Sequence, residues 1–145
     1  MYISDGGGKE MLIFSLKKEW YEKIKSGEKT IEYREVKPYW TTRIGNGMHK
    51  LATFSIYEPT ELYEKISALG YSHEFEEDFD SLLQMGYVTR HRMNATISKI
   101  EVIDGKDTDL HINKPVYAIH LANVVEIIFK EEVNEKTINT LEVIE

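Results

Sequence analysis

From Tyr87 to Asp104 the side chains alternate between two classes, and then the alternation changes phase. Thr89, His91, Met93, Ala95 and Ile97 share one parity, while Arg90, Arg92, Asn94, Thr96 and Ser98 share the other. Successive strand side chains point to opposite faces, so this pattern is that of a half-buried strand. After Lys99 the apolar parity passes to Ile100 and Val102. A slip of one residue would turn every side chain to the wrong face, so the phase change requires a bulge or bend. Pro115 to Val125 reads as a further strand, with Tyr117, Ile119 and Leu121 on one face and Val116, Ala118 and His120 on the other. Asp104-Gly105 is a hairpin-type turn, followed by a polar loop from Asp107 to Asn113. Strands that bend in this way predict a sheet that curls.

The remainder of the chain adds helices to that sheet. Met1 to Glu10, with its three consecutive glycines, reads as a flexible arm, and Met11 offers a second start. Met11-Leu12-Ile13-Phe14 reads as a buried strand, and Ser15 as the cap of the helix that follows. Leu16, Trp20 and Ile24 recur at helical spacing, which makes Trp20 a core residue, and Gly27 suits the left-handed residue past the helix end. Thr30 to Val36 is strand-like and Pro38 stops it. Tyr39 and Trp40 begin a loop or single helical turn, and Gly45-Asn46-Gly47 signals a turn. Lys50 to Tyr57 reads as a strand. Two helices are expected next, at about 60–69 with Leu62, Ile66 and Leu69 inward, and at about 73–85 with Phe75, Phe79, Leu82 and Leu83 inward. They form a helical insertion between strands. Ile127-Ile128-Phe129 extends the last strand or begins another. The expected fold class is α+β, a small, partly closed, mixed β-barrel with helices packed at its openings. Its domain spans residues 11–130, and residues 131–145 form an acidic tail.

Composition narrows the function. A 145-residue chain with 41% hydrophobic residues can build one core without staples. There is no cysteine, hence no disulfide, thiolate nucleophile or cysteine zinc site. No apolar run approaches the roughly 20 residues that span a bilayer. The N-terminus lacks the basic-then-apolar pattern of a secretory leader. The expected location is cytoplasmic, with no membrane partner. The five histidines have no ligand-like spacing, so neither a metal nor any other cofactor is assigned. The net charge of −7 argues against non-specific polyanion binding. Residues 1–60, however, carry ten Lys/Arg against eight Asp/Glu, whereas residues 61–145 carry eight against seventeen.

The densest chemistry lies in Ser26-Gly27-Glu28-Lys29-Thr30-Ile31-Glu32-Tyr33-Arg34-Glu35. Strand parity puts Glu32 and Arg34 side by side; Lys29 has the opposite parity and joins them only from within the turn. Lys29 and Arg34 can hold a phosphate, and Glu32 can accept from a base amine or act as a general acid or base. On spacing alone Glu32 and Arg34 equally make an ordinary ion pair on a strand face. Tyr33 can stack on a base, but it shares parity with Ile31 and reads as core. Tyr39 and Trp40 can either stack on a base or pack inward. Arg43 follows them. Lys17 and Lys18 begin the helix beside this stretch and either extend a basic rim or serve solubility. Arg90 and Arg92 lie on a polar stripe suited to a nucleic-acid backbone, or to plain solvent.

The stretch from Gly27 to Arg34 resembles the G-x-K-x-x-E-x-R signature of ASCH domains, which have a PUA-like fold. Leu12-Ile13-Phe14-Ser15-Leu16-Lys17 resembles that family's first strand and helix entry. Tyr39-Trp40-x-x-Arg43, Gly86-Tyr87 and Pro115-Val116-Tyr117-Ala118-Ile119-His120-Leu121 also resemble the group, over roughly residues 11–125. The resemblance implies a β-barrel with a cleft lined by Lys29, Glu32 and Arg34, and a role in binding RNA or a modified nucleotide or nucleoside. One branch of the family deacetylates N4-acetylcytidine with a lysine and a threonine nucleophile. Lys29 matches that lysine, but Glu32 stands where the threonine would be. Other members have been proposed as ribonucleases.

Three functions follow. The first is an RNA- or nucleotide-binding module whose cleft includes Lys29, Glu32, Arg34, Lys17, Tyr39, Trp40, Arg43, Arg90 and Arg92. The second is a hydrolase on a modified nucleoside or RNA, with Lys29 and Glu32 as candidate catalytic residues. The third is an interaction domain whose acidic second part meets a basic protein.

Overall fold

The computed structural model describes residues 2–4, 10–87 and 90–127. In chain order it contains strands β1 (Tyr2–Ser4) and β2 (Glu10–Leu16), helix α1 (Lys18–Ser26), strand β3 (Ile31–Glu35) and helices α2 (Pro38–His49) and α3 (Pro59–Ile66). Strands β4 (Ser72–Glu74), β5 (Asp80–Met85), β6 (Arg92–Asp104) and β7 (Pro115–Ile127) follow. The chain is α+β. Among the described residues seven strands form one mixed sheet in the order β1-β2-β5-β6-β7-β3, with β4 paired to β6 off that path.

The antiparallel β6–β7 ladder runs from Arg92 opposite Ile127 to Asp104 opposite Pro115. Its register shifts between Asn94 and Thr96 and again between Ile97 and Lys99. The change of parity in the sequence is therefore a pair of bulges. They let Met93, Ala95 and Ile97 and then Ile100 and Val102 all reach the core. The curl carries β3 back towards β2, although β5, β6 and β7 lie between them in the sheet order. β1 covers the edge of β2 only from Glu10 to Leu12. Beyond it, Arg34 of β3 donates through Nη2 to the Ser15 carbonyl of β2 at 2.9 Å. Among the described residues no ladder joins β3 to β2, so backbone pairing does not close the sheet.

Several sequence expectations are corrected. Tyr2–Ser4 is not part of a loose arm, because it pairs antiparallel with Glu10–Leu12. Ser15 does not cap α1; it lies in β2, and the cap position belongs to Lys17, whose side chain makes no capping bond. The short turn expected after Pro38 is instead the 12-residue helix α2, and it runs through Gly45 and Gly47. The reason is a close helix crossing. A Cβ on Gly45 would stand 2.6 Å from Tyr63 Cδ1, so only glycine admits α3 here. Tyr63 also donates its hydroxyl to Asn46 Oδ1. Residues 51–57 form turns rather than a strand, with Phe54 buried and the Ala52 and Thr53 amides held by the Glu77 carboxylate.

The helix expected at 73–85 is replaced by β4 and β5. β5 lies between β2 and β6, and Ser81, Leu82, Leu83 and Gln84 are buried in succession. A strand covered on both faces loses its alternation, and its apolar residues then fit a helical pattern equally well. The insertion is accordingly one helix and two strands. Leu69 lies beyond α3 and is 65% exposed. The expectations for residues 128–145, including the acidic tail, lie outside the described residues.

Candidate functional site

Helix α1 ends on Gly27 in the left-handed region, at φ +88°, with its amide bonded to the Ile24 carbonyl. The Lys29 amide then bonds to the Lys23 carbonyl at 3.0 Å. This reversal holds Lys29 ahead of β3, where strand parity does not govern its side chain. Its ammonium reaches the side of Glu32 and lies 3.8 Å from Oε1. It lies 2.5 Å from Asp109 Oδ2, and stands 5.2 Å from the Trp20 ring centroid and 5.0 Å from that of Tyr33.

The other oxygen of Glu32 faces a second cation. Arg34 Nε and Nη2 both lie 2.9 Å from Oε2. The guanidinium carbon of Arg34 is 4.8 Å from the Trp40 ring and 5.3 Å from the Phe14 ring, which stack on one another. Glu32 is buried, so desolvation pushes its carboxyl above the usual range. The charges of Arg34 and then Lys29 oppose that push, and the Asp109 carboxylate adds to it. The Tyr33 phenol is raised too, first by burial and then by Asp109 and Glu101.

A pocket of about 300 Å3 opens over this cluster, lined by Trp20, Tyr33, Lys29, Asp109, Lys23 and Glu28 among others. A smaller hollow of about 70 Å3 shares Trp20, Lys29, Tyr33 and Asp109 and extends to Glu32 and Leu110. The site therefore combines two aromatic walls with an ammonium and carboxylates. Such a site can stack a planar group and both donate to and accept from its edge.

The structure brings Lys29, Glu32 and Arg34 into one contiguous cluster; Lys29 lines both hollows, Glu32 only the smaller one, and Arg34 neither. Arg34 lies behind them, engaged with Glu32 and the Ser15 carbonyl. Trp40 is buried against Phe14 and backs Arg34. Tyr39 and Arg43 stack on α2, with the guanidinium carbon 3.5 Å from the ring centroid; Tyr39 packs edge-on against Trp40, and neither Tyr39 nor Arg43 lines the two hollows. Lys17 is exposed at the start of α1 and lines neither hollow. Arg90 is exposed, and Arg92 donates to Gln84 Oε1; neither lines the site.

Three contributors were not read from the sequence. Trp20 is only half buried and lines the pocket, because α1 turns Tyr21 and Ile24 inward instead. The pair Tyr21–Ile24 at i, i+3 was the available signal. Tyr33 lines the pocket as well, contrary to the core placement that parity gave it. Asp109 lies 80 residues from Lys29 in the chain, in a polar loop with no local signature. Among the described residues no helix is long and apolar enough to cross a membrane, and no cluster of three or more His, Cys, Asp or Glu is suited to a metal ion. Comparison with protein-family models, with curated proteins and with solved structures finds no match to this chain.

Proposed function

We propose that this chain is an ASCH-type, PUA-like module of the cytoplasm that binds RNA or a nucleotide, taking a base into the pocket at Lys29. The observation that carries the reading is the convergence of Lys29 and Glu32 on one hollow walled by Trp20 and Tyr33. A base has two π-faces for the rings and an edge of donors and acceptors for the ammonium and carboxylates. The curl of the sheet towards β2 supports the relation to a barrel, with Arg34 at the seam. The charge bias of residues 1–60 supports approach of a polyanion from this side.

Titration with short single-stranded RNAs and modified nucleosides, followed by tryptophan fluorescence, tests the reading, because Trp20 lines the pocket. The expected result is saturable quenching that weakens in Lys29→Ala. Absence of saturable binding at low salt, in the native protein and in Lys29→Ala alike, would sink it.

A second reading is hydrolysis of a modified nucleoside or RNA at the same place. The observation favouring it is the Lys29–Glu32 separation of 3.8 Å around a carboxyl whose proton affinity is raised by burial. It requires turnover of an acylated nucleoside or an RNA that is lost in folded Glu32→Gln. Substrates that remain intact under the native protein would count against it.

A further inference from the structure

We propose that Asp109 is the specificity-determining residue of this pocket: its carboxylate occupies the place at Lys29 that an anionic group would take, and so selects against phosphate- and carboxylate-bearing groups there. The inference rests on the pocket being a binding site, and it names what part of a ligand that site admits.

Asp109 is not an incidental surface acid. The turn that presents it is built around Gly105, where an added Cβ would meet Val116 Cγ1 at 2.7 Å and the Ile112 carbonyl at 2.9 Å. Ile112 returns its amide to the Gly105 carbonyl at 3.2 Å. Thr108 is buried, donates its hydroxyl to the same carbonyl at 2.8 Å, and accepts the Leu110 amide at 3.2 Å. Asp109 stands between these tied residues, and its position is set by the fold.

The carboxylate belongs to the more exposed side chain of the pair. The Lys29 side chain is 10% exposed and that of Asp109 38%. An anion that approaches Lys29 through either hollow also meets Asp109, which lines both. Nor does the lining carry another unmatched cation, since Lys23 lies 3.9 Å from Glu28. Glu32 lies 3.8 Å from Lys29 but has Arg34 on its other oxygen, so Asp109 is the carboxylate that answers the ammonium. Like charges a few ångströms apart repel strongly where water is partly excluded. A neutral group with hydrogen-bond donors, by contrast, finds carboxylate oxygens to accept from it. For an RNA or a nucleotide, this means that the base enters and the phosphates stay outside.

Calorimetric titration with inorganic phosphate at low ionic strength tests the assignment. The native chain is expected to show no saturable binding. Asp109→Asn should bind phosphate at least about tenfold more tightly, with a steep salt dependence. The gain should vanish in Asp109→Asn combined with Lys29→Met, which ties it to the ammonium. Asp109→Glu keeps the charge and should remain silent. Circular dichroism establishes that each variant is folded, and Asp109→Ser replaces Asp109→Asn if the latter is not. Saturable phosphate binding by the native chain would overturn the proposal. So would a folded Asp109→Asn that gains none, or a gain that survives Lys29→Met. Inorganic phosphate has no base, so a chain that fails to bind RNA still answers this test, and one that binds RNA can still fail it.

Discussion

Arg34 directs both Nε and Nη2 to a single oxygen of Glu32, each at 2.9 Å, and the same Nη2 continues to the Ser15 carbonyl. The pair is not the solvated strand-face ion pair that its spacing suggests, because the Glu32 side chain is only 10% exposed and that of Arg34 17%. Removing one member leaves the other buried without its closest partner. Arg34→Met is therefore expected to destabilise the fold by about 3–5 kcal/mol. Urea unfolding of Arg34→Met, Glu32→Gln and the double variant checks this. The double variant should recover part of the loss, since neither charge is then stranded. Arg34→Lys should recover little, because an ammonium lacks the planar fork.

Glu32 also predicts a pH dependence of defined sign. Its native carboxyl is raised above the ordinary 4.5, chiefly by burial. The native state then holds the proton more tightly than the unfolded chain. Its contribution to stability is fully present below 4.5 and is lost as pH rises through the raised native value. Glu32→Gln should remove that slope. The difference in unfolding free energy between native and Glu32→Gln proteins should fall with rising pH from about 4.5 and then level off. A difference that rises with pH would mean that Arg34 and Lys29 outweigh burial.

The aromatic walls make a separable contribution to binding. Trp20→Ala removes one stacking surface and should weaken a bound base by about 1–3 kcal/mol, or roughly fivefold to 150-fold. Trp40→Phe acts on the packing behind Arg34 and should change stability more than affinity. Anisotropy of a labelled single-stranded RNA, with thermal melts alongside, distinguishes the two.

Gly45 offers a test of the helix crossing. Alanine is favoured over glycine within a helix by about 1 kcal/mol. Here its Cβ would lie 2.6 Å from Tyr63 Cδ1 and 2.7 Å from Cε1, and overpacking should prevail. Gly45→Ala is expected to cost about 1–3 kcal/mol net. Pairing it with Tyr63→Ala should reverse the sign of the Gly45→Ala effect.

What could be read from residues alone follows from how each segment is buried. β6 keeps one face towards the core over most of its length, so its alternation and its interruption survive in the sequence. The reversal at Gly27 depends on local hydrogen bonds, and its signature is local too. β5 is the opposite case: it is buried on both faces, its period disappears, and it imitates a helix. Gly45 signals a turn by composition, yet its role is fixed by Tyr63, which belongs to another helix. The residues alone place Lys29 only conditionally, because its geometry depends on whether it stays in the turn. Asp109 was out of reach, since nothing within its own loop indicates that the fold returns it to Lys29.

The seam between β2 and β3 has a consequence for encounters between copies of this protein. Two strand segments that curl towards one another without pairing would ordinarily offer hydrogen-bonding edges to any extended chain that came by. At this seam an incoming strand would have to displace a guanidinium that is held by a carboxylate, a carbonyl and two aromatic rings. The positive charge laid across the opening thus guards against edge-to-edge aggregation. Loss of Arg34 should show first as concentration-dependent self-association on mild heating, before the fold itself gives way.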